Sequence, residues 1–111
     1  TGDLTGAANY IQQIRMARNY RGTATTPAYA NATAAYADIL KERRIELSLE
    51  GHRYIDLKRL AAKAGVTMDR DLNKDDLIPT TNLPNDSYKY TLPIPLAEIS
   101  ANPNIQQNPG Y

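Results

Sequence analysis

From Glu42 to Leu60 the chain reads ERRIELSLEGHRYIDLKRL, a run in which Arg, Lys, Asp and Glu alternate with Leu, Ile and Tyr. On a helix each residue turns about 100°, so these positions can be assigned to faces without coordinates. With Tyr36 at zero, Ile39, Leu40 and Leu47 fall within about 60° of it, and so do Arg43 and Glu50, with Glu46 just beyond. Charges therefore sit inside the apolar stripe. Ile45 and Leu49 point to the opposite side, which predicts a helix with neighbours on both faces.

A charge held against apolar neighbours is costly unless it has a partner and hydrogen bonds. Arg43 has Glu46 at i+3 and Glu50 at i+7 on its own face, and the five donors of a guanidinium serve more than one carboxylate. The next helix offers Arg53, Asp56 and Arg59, with Asp56 and Arg59 spaced as an i,i+3 pair. Only Gly51 and His52 separate the two runs. The expectation is a packed helix corner in which Arg43, Glu46, Glu50, Arg53, Asp56 and Arg59 interlock as a structural charge network.

The rest of the chain fits around that corner. Its 111 residues allow one domain at most. In DLTGAANYIQQIRMARNYRG the residues Ala7, Tyr10, Ile11, Ile14, Ala17 and Arg18 recur every three or four positions, predicting a helix over about 3–21 with Asp3 or Thr5 as its cap. A second helix runs to Glu50 from either Thr26-Pro27 or Asn31, the latter giving 31–50, and Gly51 suits the turn that ends it. A third covers 52–64 and stops at Gly65. After Val66 the residues Asp, Asn and Pro punctuate an irregular loop and tail over 66–111, in which SYKYTLPIP alternates like an edge strand and LAEI can form one helical turn. Pro93, Pro95, Pro103 and Pro109 each lack an amide donor, so the ending is expected to lie extended on a surface.

Composition removes several chemistries. Thirteen basic against twelve acidic residues leave a net charge of +1, with no long-range pull on phosphate or anionic lipid. There is no cysteine, and hence no disulfide, thiolate metal site or thiol nucleophile. No apolar run reaches the roughly 18 residues of a membrane helix. Eight Tyr stand beside neither Trp nor Phe.

Two stretches resemble the SusD/RagB family, surface lipoproteins that capture nutrients for outer-membrane transporters in Bacteroidetes. The first is the set Glu42, Arg43, Arg44, Glu46, Leu47, Glu50, Gly51, Arg53, Asp56, Leu57 and Arg59, with Tyr54 where the family usually has Trp. The second is Leu92-Pro93-Ile94-Pro95, Glu98-Ile99 and Asn102 through Tyr111, with Ile105 in place of Leu. The segment around Gln12 is similar to the family's Ile-Asn-x-Ile-Arg, with Gln for Asn. The resemblance implies an all-α fold, the C-terminal part of a larger tetratricopeptide-containing helical domain, with a proline-rich extended tail. It further implies non-catalytic binding of a glycan or other nutrient and delivery to a SusC-like TonB-dependent transporter. A lipid anchor upstream of these residues would then hold the protein at the cell-surface face of the outer membrane. No cofactor and no nucleic acid partner are expected, and the family's ligand contacts come mostly from loops upstream of these residues.

Other residues invite chemical readings. His52, two residues after Glu50, has the makings of a general base, yet no serine, cysteine or metal-ligand cluster completes a site, and a helix-corner role is the default. Asp69, Asp71, Asn73 and Asp75 alternate as oxygen ligands do in a calcium loop, but Lys74 stands where such a loop needs Gly and Thr80 where it needs Glu. Tyr88 and Tyr90 share one side if their segment is extended, and with Tyr54 they can offer rings to a sugar face. Two further classes are a glycan hydrolase using Glu46 and Glu50, and a stand-alone helical interaction module. Residues four apart on one helix sit side by side rather than flanking a bond, which counts against the hydrolase.

Overall fold

The computed structural model describes residues 2–19, 22–69 and 82–111. The fold is all-α in character: its helices are α1 (Leu4–Arg18), α2 (Ala32–Glu46), α3 (His52–Ala64) and the short α4 (Leu96–Ala101). Among the described residues strand is limited to β1 (Met68–Asp69) and β2 (Asn82–Leu83), which pair antiparallel with Met68 opposite Leu83. The chain divides after Thr67 into two compact units.

In the first unit each helix starts and stops for a local reason. The Asp3 carboxylate accepts from Gly6 N–H at 2.7 Å and caps α1. Of the two possible starts for α2, Asn31 is the one used, its side-chain oxygen accepting from Ala34 N–H at 2.9 Å. Helix α3 ends in Gly65 at φ 62°, with Gly65 N–H donating to Ala62 and Val66 N–H to Ala61, the double bond of a Schellman stop.

Helix α2 ends a turn earlier than its apolar period predicts, at Glu46 instead of Glu50. Leu47 to Glu50 form a turn closed by Glu50 N–H to Leu47 carbonyl at 3.2 Å. Reversing the chain within so few residues takes two left-handed positions, Leu49 at φ 68° and Gly51 at φ 77°. Glycine adopts that geometry freely; leucine does not. Leu49 is consequently turned fully outward, and Ile45 is 58% exposed, so the second apolar face expected of this helix has no cover among the described residues.

The core of this unit is small: Ala8, Ile11, Ala35, Leu40, Leu57, Ala61 and Ala64. The small residues Ala61 and Ala64 of α3 are buried where α2 and α3 run antiparallel, and Thr33 near the start of α2 lies beside Gly65 at the end of α3. Two charged residues, Glu42 and Asp56, are buried with them.

In the second unit the stretch expected to alternate as an edge strand instead opens with a 3-10 turn at Tyr88–Tyr90. Ser87 caps that turn, its hydroxyl accepting from Lys89 N–H at 3.3 Å. Extended backbone from Thr91 to Pro95 follows, and then α4.

Candidate functional site

The charged residues form a ladder through the three long helices. Asp38, Glu42 and Glu46 recur every four positions on α2, which places all three carboxylates on one face. That face meets α1, where Arg15 and Arg18 are three apart. Arg15 donates through Nη2 to Asp38 Oδ1 at 2.7 Å and through Nε to Glu42 Oε2 at 2.8 Å. Arg18 grips Glu46 with Nε at 2.9 Å from Oε2 and Nη2 at 2.8 Å from the same oxygen. Tyr29, in the stretch before α2, donates its hydroxyl to Asp38 Oδ2 at 2.7 Å.

One residue on from Glu42 the helix has turned by about 100°, and Arg43 faces α3. Its Nε donates to Asp56 Oδ2 at 2.8 Å, and Arg59 Nη2 reaches the other oxygen at 3.4 Å. Asp56 is 4% exposed, so both of its oxygens find their charge partners inside the protein.

These contacts set the ionisation of the network. Burial opposes a charge on Asp38, but hydrogen bonds from Arg15 and Tyr29 and the positive charges of Arg15 and Lys41 outweigh it and hold the carboxyl below its ordinary range. Burial, followed by the hydrogen bond to Asp38, pushes the Tyr29 phenol up to about 12. The hydrogen bond to Asp38 leads the effects that raise Arg15, and the one to Glu46 leads those that raise Arg18.

Of the residues singled out in the sequence, Arg43, Asp56 and Arg59 meet at the α2–α3 corner. Glu46 is on the other side of α2, taken by Arg18. Glu50 lies in the exposed turn, with His52 Nε2 3.8 Å from its carboxylate, and Arg53 is half-buried at the start of α3. The two carboxylates of the hydrolase reading thus part company, and the His52–Glu50 pair sits on the surface. Tyr54 is half-buried in α3.

Tyr88 and Tyr90 do not share a face. In a turn of about three residues, positions two apart diverge, and Tyr90 is 5% exposed whereas Tyr88 is 45% exposed. One face of the Tyr88 ring is occupied by Gly110, and its neighbour Tyr111 meets the ring edge-on at 5.0 Å. Asp71, Asn73 and Asp75 lie outside the described residues, as does the side chain of Asp69, whose backbone belongs to β1. Among the described residues no cluster of His, Asp or Glu is arranged to hold a metal.

The sequence reading missed Arg15, Arg18, Asp38, Glu42 and Tyr29 as partners. The acidic period of four on α2, matched to two arginines one turn apart on α1, was the signal that could have found the first four. An open apolar groove of about 700 Å³ between α1 and α2 lies alongside this ladder, with Tyr10, Ile14, Ile39 and Leu47 in its lining and Arg18 and Glu46 among its polar groups.

Fold and site together define a helical segment whose helix spacing is set by paired charges. A model of the SusD family, SusD/RagB, matches residues 1–111, and the chain belongs to that family. Searches of curated proteins and of solved structures gave no match. Membership in this family points to binding of glycans or other nutrients at the cell surface. No helix among the described residues is long and apolar enough to cross a membrane.

Proposed function

We propose that this chain is the C-terminal part of a non-catalytic nutrient-binding lipoprotein at the outer-membrane surface, which captures a glycan or related nutrient and passes it to a SusC-like TonB-dependent transporter. The observation that carries this reading is the family match along residues 1–111. Within that protein the segment is architectural. Its ion pairs support this: Glu42, Glu46 and Asp56, the carboxylates nearest to the apolar groove and the helix corner, are each held by an arginine at 2.8 Å. A carboxylate so paired is oriented toward its partner by a charge-assisted hydrogen bond, which suits a brace between helices.

The test is a panel of oligosaccharides presented to the full-length protein, with binding followed by calorimetry and cleavage by product analysis. Saturable binding without turnover is expected. Sustained cleavage that disappears in Glu46→Gln would make the protein an enzyme and overturn the proposal.

A further inference from the structure

The tail motif from Asn102 to Tyr111 plays no part in the charge ladder, yet its side chains are closely engaged. The backbone it engages is extended at both ends, Thr91 at φ −116°, ψ 126° and Pro95 at φ −55°, ψ 138°. Pro93 and Pro95 remove the donors at alternate positions. Side chains from the tail take the groups between them. Gln107 Oε1 accepts from Ile94 N–H at 2.7 Å while Gln107 Nε2 donates to the Ile94 carbonyl at 2.9 Å. One carboxamide thereby makes both bonds that a neighbouring strand would exchange with Ile94.

Its orientation is fixed, because the same Oε1 also accepts from Asn108 N–H at 2.9 Å. Asn108 Nδ2 donates to the Leu92 carbonyl at 2.7 Å, and the Tyr111 hydroxyl donates to the Thr91 carbonyl at 3.0 Å. Gly110 seats the end of the tail on Tyr88: its φ of 95° favours glycine, and a Cβ there would lie 2.5 Å from Tyr88 Cγ.

The engaged segment also carries exposed apolar side chains at Leu92 (73%) and, just beyond it, Leu96 (78%). Extended backbone flanked by exposed apolar residues is a template for another strand unless its polar groups are already taken. We infer that residues 102–111 are a clip that closes the backbone of residues 91–95 against pairing with another extended chain, with Gln107 standing in for the strand partner.

Gln107→Glu in the full-length protein isolates the claim. It keeps both accepting roles but turns the donor into a carboxylate oxygen facing the Ile94 carbonyl. Ile94 amide exchange is expected to rise about tenfold, the scale of one net hydrogen bond, with amides inside α1, α2 and α3 unchanged. Sedimentation velocity is expected to show concentration-dependent self-association that the unaltered protein lacks. Gln107→Ala, which removes donor and acceptor together, is expected to exceed Gln107→Glu in both respects. Unchanged Ile94 exchange in both variants overturns the clip. Faster exchange in a protein that stays monomeric overturns its guarding role, and loss of protection throughout the helices overturns its local character.

Discussion

Arg43 Nε and Asp56 Oδ2 lie 2.8 Å apart across the α2–α3 corner, joining an arginine that is partly open to solvent to a carboxylate that is almost wholly buried. The asymmetry decides what a substitution does. In Arg43→Met the apolar stem is retained and Asp56 keeps only the longer contact from Arg59 at 3.4 Å. Breaking a buried pair on one side costs roughly 3–5 kcal/mol, and since Arg43 retains solvent access the loss should fall below most of that range, at about 2–3 kcal/mol. Urea unfolding of the full-length protein measures it. Ligand affinity should be unchanged, and normal stability with lost binding would move the corner from architecture to recognition.

Asp38 makes stability depend on acid. Its folded pKa lies below the ordinary 3.8, so the folded state binds this proton less readily than the unfolded chain. The contribution is complete above about pH 4 and is lost as pH falls through the lower folded value. Asp38→Asn should be less stable at neutral pH and show a flatter acid limb, read from melting temperatures between about pH 2 and 7. An unaltered slope would mean that the Arg15 and Tyr29 contacts do not persist in solution.

Tyr29 has the opposite sign. Its phenol is raised from 10 to about 12, so the stability it supplies is complete below pH 10 and is lost as pH rises toward 12. Absorbance of tyrosinate near 295 nm should show a component titrating at about 12, and Tyr29→Phe should remove that component.

The helix ends were legible where a single side chain or glycine decides them. Asn31 offers an oxygen to the first free amides of α2, and Gly65 supplies the left-handed position that α3 needs. The early end of α2 was not legible, because Leu49 is a good helix former and only the need to reverse direction before α3 forces it to φ 68°. Alternation misled at Tyr88 and Tyr90 for a similar reason: a period of two describes an extended chain, whereas Ser87 caps a tight turn just before them. The charge density of the corner marked Arg43, Asp56 and Arg59, which are close in sequence. The arginine partners of Asp38, Glu42 and Glu46 are 23 to 28 residues away on α1, and which arginine meets which carboxylate depends on how the helices pack.

Leu49 yields a prediction in the stabilising direction. A residue with a Cβ pays roughly 1–2 kcal/mol in the left-handed region, and the fully exposed Leu49 side chain recovers none of this through packing in this structure. Leu49→Gly removes the strain but gives the unfolded chain more freedom, so the net gain should be about 0.5–1 kcal/mol. Chemical denaturation of the full-length protein checks it. A loss of stability instead would show that the leucine is covered by another part of the folded protein.

The Arg15 pair separates charge from geometry. Arg15 spans two carboxylates with two different nitrogens, Nη2 to Asp38 and Nε to Glu42, and Glu42 is buried beneath it. Lysine carries the same charge on a single ammonium and lacks the planar fork, so in Arg15→Lys one carboxylate keeps a close partner while the other is left with charge at a distance. The expected cost is about 1–2 kcal/mol, the scale of one lost charge-assisted hydrogen bond. Arg18→Lys serves as the comparison, because Arg18 is largely exposed and pairs with one carboxylate only; its effect should be near zero. No loss in either variant would show that α1 and α2 are held by net charge, and a loss confined to Arg15→Lys that the shape of the guanidinium matters where one arginine spans two carboxylates.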